Sequence, residues 1–249
     1  RLWRLSLYRI SEVYLHEQTI PGIIANVLKA GGLNSQDFQI QTQGDYRSRS
    51  FVCQYQETHL DFISRWMEKE GLYYYFSQDG KKETLQIVDS RFIHPAEAKT
   101  LHYRPVGEPD TGLDAQSVQS FIQQRKPMPA KLVLQDYNYR KADTELRVEV
   151  EVSPAGFGEV MIYGENFRDE NEGKRYANIR NQELLCGERV FVGEATASGL
   201  CTGHFAELQA HYRQDFNARY LITQISHEGS QADMMLAGLN TPYNTPYNA

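Results

Sequence analysis

The chain has 249 residues, 26 Lys and Arg against 32 Asp and Glu, and a formal net charge of −6 spread along its length. That size buries a substantial core and suits two domains. The lack of a basic stripe argues against a nucleic-acid partner, and no apolar run reaches the length of a membrane span. Three cysteines, Cys53, Cys186 and Cys201, lie far apart with no C-x-x-C spacing, so they read as structural thiols of a reducing compartment.

The opening "RLWRLSLYRI" alternates apolar and polar residues and predicts a strand rather than a signal peptide, which needs an unbroken apolar centre. It starts without a turn signal, as a piece of something longer would. "IPGIIANVLKAGGL" predicts a short helix with Pro21 in its first turn, Ile23, Ile24, Val27 and Leu28 on the apolar face, and Gly31-Gly32 at its end. "DFQIQT" and "SRSFVCQYQ" predict strands, the second carrying Cys53 as a small buried hydrophobe. In "YQETHLDFISRWMEKEGLYYYF", Thr58 and Asp61 have capping-box spacing. Leu60, Phe62, Ile63, Trp66 and Met67 fall on one helix face roughly 160° wide, and Gly71 ends the helix in a left-handed cap. The aromatic run then predicts a strand with Leu72, Tyr74 and Phe76 on one side and Tyr73 and Tyr75 on the other. Tyrosine suits both faces of a half-buried strand; the other reading is a platform on which sugars or bases stack. "DGKK" predicts a hairpin turn into "ETLQIVDS". This first region reads as α+β, with two helices on a small antiparallel sheet.

Near Pro95 the texture changes. "HPAEAKTLHYRPVGEPDTGLD" is rich in turn formers and reads as a connector. "SVQSFIQQRK", "AKLVLQDYNY" and "ELRVEVEVS" alternate as strands do. One helix follows in "NEGKRYANIRNQELLCGE", with Tyr176, Ile179, Leu184 and Leu185 apolar and "RDENEGKR" as its cap and first turn. "RVFVGEAT", "HFAELQAHY" and "RYLITQISHEG" are strands again. An almost all-β half with one inserted helix predicts a small barrel or sandwich, and the "TPYNTPYN" tail predicts an extended or disordered end.

Chemistry-bearing patterns are sparse. His204 and His211 are an odd number of residues apart, so a strand places them on opposite faces and they make poor co-ligands. No H-E-x-x-H, G-x-S-x-G or phosphate-binding glycine loop occurs. The carboxylate pairs Glu68/Glu70 and Asp169/Glu170 read as solvated helix faces rather than a glycosidase pair. The expectation is no catalytic, cofactor-binding or metal-binding residue, and a role in binding or assembly.

Three blocks then carry a resemblance. In the first, Gln54, Tyr55, Asp61, Phe62, Ser64, Arg65, Glu68, Glu70, Gly71 and Tyr73 to Phe76 match a family pattern of a strand, an acidic-capped helix and "EEEG-[IL]-YYYF". The second is "LVLQDYNYRK" with its Asp136-Tyr137 pair. The third spans Gly203, Phe205, Leu208, His211, Asn217, Tyr220, Leu221, Thr223 and His227. "IPGIIANVL" fits the helix that follows the first barrel. Together the chain resembles the valine–glycine repeat (VgrG) tip proteins of type VI secretion, whose hub is similar to that of contractile phage tails.

The resemblance implies an α+β, β-barrel-rich, phage tail hub-like fold. Residues 1–18 would hold the last strand of a truncated first barrel, 19–100 an α+β domain, 101–240 a second barrel with an inserted helix, and 241–249 an extended tail. Most of the first barrel, the neck, the spike and any effector would lie outside this chain. The implied role is a structural, non-enzymatic hub: a homotrimeric ring that adapts a hexameric tail tube to a spike, its tip proteins and effectors. Such a protein assembles in the bacterial cytoplasm and leaves through the secretion apparatus, with no nucleic acid bound and no membrane insertion by this segment. His211, Asn217 and His227 are expected to close turns and barrel strands. The alternatives are a phage or phage-tail-like bacteriocin baseplate hub, and a carbohydrate-binding or cell-wall-degrading enzyme that uses the tyrosine strand as its platform.

Overall fold

A computed structural model describes residues 1–78, 80, 82–105, 116–139 and 142–229. In chain order the elements are β1 (Arg9–Gln18), α1 (Ile20–Ala30), β2 (Phe38–Gln41), β3 (Arg49–Thr58), α2 (His59–Glu70), β4 (Tyr73–Gln78), β5 (Glu83–Val88), β6 (Ala98–Tyr103), β7 (Ser117–Arg125), β8 (Lys131–Asp136), β9 (Leu146–Glu151), β10 (Glu159–Tyr163), α3 (Glu170–Cys186), β11 (Arg189–Ala195), β12 (Phe205–Gln209) and β13 (Arg219–Leu221). The fold is α+β and mostly sheet. Asp79 and Lys81 of the "DGKK" turn and the whole "TPYNTPYN" tail lie outside the described residues.

The chain forms two compact units that interleave along the sequence. One comprises Arg1–Tyr73, Thr84–Asp89 and Gln124–Val190; the other comprises Tyr74–Glu83, Ser90–Gln123 and Phe191–Ala249. This partition differs from the expected division at residue 100. Segment 124–190 carries α3, whose Tyr176 and Glu172 bond to Arg49 of β3, and Tyr176 also bonds to Glu70 of α2.

In the first unit β1 pairs antiparallel with β3. β2 and β5 pair in parallel rather than antiparallel as expected; the β3-α2 segment between them supplies the crossover that parallel strands require. The expected strand at Leu2–Leu7 is a 3₁₀ helix. Leu2 and Leu5, three apart, share one face in that geometry and are both buried. Thr58 caps α2 by accepting from the Asp61 amide at 3.0 Å, its hydroxyl donates to the Asp61 carboxylate at 2.7 Å, and Gly71 takes φ 75°. α1 buries Ile20, Ile23, Ile24, Val27 and Leu28, and α2 buries Phe62, Ile63 and Met67. β8 lies between parallel β10 and antiparallel β9. The apolar faces of β8 and β9, Leu132, Leu134, Leu146 and Val148, close on Phe167, Tyr176 and Ala177.

The second unit is built on a five-stranded sheet in the order β11-β7-β6-β12-β13. β6 occupies part of the expected connector, because "AKTLHY" alternates and buries Leu101. The strand expected at "RYLITQISHEG" shortens to β13. The core here is Leu101, Val118, Ala195, Leu208 and Phe216, with the rings of Phe121, Phe191 and Tyr220 packed against it.

Candidate functional site

The first unit carries a buried ionic junction. Arg49, at the start of β3, donates from one guanidinium nitrogen to Glu70 and Glu172 at 3.0 Å each, and to the Tyr176 hydroxyl. All four side chains are buried. Tyr176 donates to Glu70 at 3.1 Å, and Arg175 bonds both the carboxylate and the carbonyl of Glu70. Asp169 caps α3 by accepting from the Glu172 amide at 3.0 Å and pairs with Arg47 at 2.6 Å. Burial opposes the Arg49 charge, but Tyr176, Glu70 and Glu172 hold its pKa above the ordinary value. Burial, then the charge of Glu70, pushes the Tyr176 phenol above its usual range. Burial, with Arg49 nearby, lowers the Lys69 amine.

The expectation that Glu70 is solvated therefore fails: it is 4% exposed. Its partner Glu68 is exposed, as is Glu170, and Asp169 is half-exposed. The missed signal was positional. A glutamate in the last turn of a helix sits where the dipole disfavours it, so a specific cation had to be nearby. Arg49 and Glu172 gave no such signal, since a strand-end arginine and a third-position helix glutamate both read as surface residues.

The β1–β3 ribbon has two unlike faces. Register pairs Tyr14 with Val52 and Glu12 with Gln54 on one face; there Tyr14 stacks on Phe62 at 5.6 Å and Gln54 bonds His59 at 3.1 Å. The other face sets Val13 against Cys53 and Leu15 against Phe51, with Tyr55 beyond. Val13, Leu15, Phe51 and Tyr55 are 44–69% exposed, a contiguous apolar stripe. Stripes of this kind mark interaction surfaces.

The aromatic strand is core at one residue only. Tyr75 is 8% exposed and stacks on His94 at 4.7 Å, whereas Tyr73 and Tyr74 stand partly in solvent. A sugar platform needs coplanar exposed rings, and the buried Tyr75 does not supply one. Cys53 and Cys201 are half-buried, Cys186 is exposed, and all three are free thiols. His204 faces the Thr202 carbonyl at 3.2 Å, His227 the Leu200 carbonyl at 3.2 Å. Asn217 accepts from the His211 amide at 2.8 Å and donates back to its carbonyl at 3.0 Å, so this pair clasps the β12–β13 connection. Among the described residues no group of three or more His, Cys, Asp or Glu could hold a metal ion, and no helix is long and apolar enough to cross a membrane.

The family description "Phage tail baseplate hub (GPD)" matches residues 1–233. The chain belongs to the phage tail baseplate hub family. This hub chain is 30% identical over 230 residues to the type VI secretion system spike protein VgrG1c of Pseudomonas aeruginosa, a match covering 89% of the chain and 31% of the relative. It is 29% identical over 233 residues to VgrG1a of the same bacterium, covering 89% and 35%. The hub chain thus spans about a third of the length of these curated relatives. Its fold is similar to that of the E. coli c3393 protein, described as a type VI secretion component with structural similarity to T4 bacteriophage tail proteins gp27 and gp5. That match has a TM-score of 0.61 at 21% identity and covers 89% of this chain and 47% of the other. A 43 kDa prophage MuSo2 tail protein from Shewanella oneidensis matches with a TM-score of 0.57 at 13% identity, covering 85% and 61%. These likenesses support the α+β hub fold.

Proposed function

We propose that this chain is the structural hub module of a type VI secretion spike. Three copies would form a ring that joins a hexameric tail tube to a trimeric spike with its tip proteins and effectors. The observation that carries the reading is the hub-family match over residues 1–233, together with relatives named as type VI spike proteins. The buried junction and the exposed apolar ribbon suit a scaffold, because one stiffens the module and the other offers surface for assembly. The module itself is non-enzymatic in this reading, assembled in the cytoplasm and exported with the apparatus. A phage or bacteriocin baseplate hub would have the same fold; the names of the curated relatives favour secretion.

The test is release of the tail tube protein into culture medium by the encoding bacterium. Deleting the hub segment from its reading frame should abolish release, and restoring it should rescue it. Unchanged release would refute the proposal. Turnover of peptidoglycan, chitin or casein by the purified chain, lost on one carboxylate or histidine substitution, would refute the non-enzymatic part.

A further inference from the structure

The first unit carries two bare apolar patches of opposite charge. One is the outer face of the β10-β8-β9 sheet. Leu132 and Leu134, Leu146 and Val148, and Val160 and Ile162 face the core, so alternation turns Met161 and Tyr163 outward, where both are exposed. On that same face Glu151 and Glu159 flank Lys131. Lys131 bonds Glu159 at 2.9 Å, and among the described residues Glu151 has no ion pair. Phe157, in the turn that leads into β10, is 95% exposed. Its backbone is pinned: the Phe157 amide donates to the Met128 carbonyl at 3.1 Å and the Ala130 amide to the Gly158 carbonyl at 2.9 Å. A Cβ on Gly156 would clash with the Pro129 carbonyl, so glycine alone lets the turn lie this close. A ring displayed on fixed backbone loses little entropy on docking. The other patch is the 3₁₀ helix. Leu2 and Leu5 face inward, while Trp3 and Leu7 are 62% and 70% exposed. At three residues per turn Arg4 lies over Leu7. Arg4 and Arg9 are exposed, and among the described residues neither has an ion pair.

We propose that the Phe157 patch of one copy docks on the Trp3–Leu7 patch of a second copy of this chain. The charges set the arrangement. Either patch placed against itself, as in a twofold dimer, would bring like charges together, whereas the acidic patch against the basic one pairs Glu151 with Arg4. The contact is therefore head-to-tail, the kind that generates a closed ring. That the ring closes at three copies rests on the function proposed above; the contact itself does not. Aromatic rings bring ~150–250 Å² each, so the two patches together bury on the order of 1,000 Å², the lower bound of a specific interface. One such contact is weak, and ring closure gives every copy two.

The experiment is sedimentation equilibrium of the full chain from about 10 to about 500 μM, where weak contacts register. The wild-type mass should rise with concentration towards three chains. Phe157→Asp and Leu7→Asp change exposed side chains and should fold normally, and each should weaken association at least about tenfold, as loss of a central anchor does. Mixed in equal amounts they should form a one-to-one pair and nothing larger, because each keeps the patch that the other has lost. Arg4→Glu should weaken association several-fold, and adding Glu151→Lys to the same chain should recover it. The proposal is overturned if the wild type does not associate over this range, if it stops at a dimer, or if both Asp variants associate as the wild type does. It is also overturned if their mixture stays monomeric or if the charge exchange recovers nothing. Growth beyond three chains with the mixing result intact would keep the contact and overturn the threefold reading instead.

Discussion

Arg49→Met keeps much of the side-chain length but leaves Glu70 and Glu172 buried without the guanidinium they share. Removing one partner of a buried ion pair costs about 3–5 kcal/mol, so the urea midpoint should fall by that equivalent. Adding Glu70→Gln and Glu172→Gln to the same chain should recover part of the loss. If the triple variant is no more stable than Arg49→Met, stranded charge is not the source of the cost. Phe62→Ala tests the apolar side of the same helix. The ring is 1% exposed and stacked on Tyr14, and emptying such a site costs about 3–5 kcal/mol. Trp66 is only half-buried, with Arg49 over its ring at 5.1 Å. Trp66→Ala should therefore cost less than Phe62→Ala in the same urea titration.

At the scale of elements, the α2 terminus is the sharpest test. Gly71 has φ 75°, and a Cβ there would lie 3.0 Å from the Ile179 side chain on α3. Gly71→Ala meets both a disfavoured backbone and a close neighbour, and should destabilise by more than about 1 kcal/mol. Adding Ile179→Ala should relieve the steric part and leave the backbone part. Equal losses in the single and double variants, measured by thermal melting, would show that the α3 contact does not matter. The helices, the caps at Thr58 and Asp169 and most strands were legible in the sequence, since each rests on spacing within about ten residues. β10 and β6 were not. Turn-forming residues before β10 and around β6 masked short strands whose burial depends on partners β8 and β12, far away in the chain.

For the whole molecule, stability should decline on both sides of neutrality. The Glu172 amide bond, then the Arg47 bond, holds the Asp169 carboxyl below its ordinary range. The unfolded chain then binds a proton that the folded chain does not, so this contribution is present above the unfolded pKa and lost as pH falls through the folded one. On the alkaline side, burial first and Glu12 second raise the Tyr14 phenol to about 12; burial also raises Tyr46 and Tyr176. Above the ordinary phenol pKa of about 10 the unfolded chain ionises while the folded chain does not, which drains stability. Urea midpoints near pH 4, 7 and 10.5 should peak at 7. A midpoint at pH 10.5 equal to that at 7 would contradict the burial of these phenols. Light scattering at micromolar concentration should find the isolated chain monomeric or weakly associating, because association carries a fixed entropic cost before any contact counts. A trimer that survives dilution would show that these residues suffice for the ring.

The sequence by itself determined the three helices, most strands, the α+β class and the absence of any recognisable catalytic motif, because capping, periodicity and motif spacing are short-range properties written in adjacent residues. It also determined the resemblance to a hub family through three ordered blocks. Only the tertiary structure decided that β2 and β5 run parallel and that the two units interleave. It alone showed that Glu70 leaves the solvent to meet Arg49, Glu172 and Tyr176, and that His211 is caged by Tyr103. The physical reason is common to all four: each depends on burial or pairing between groups tens to more than a hundred residues apart, and a charged or aromatic side chain looks the same in sequence whether water or another side chain completes its shell.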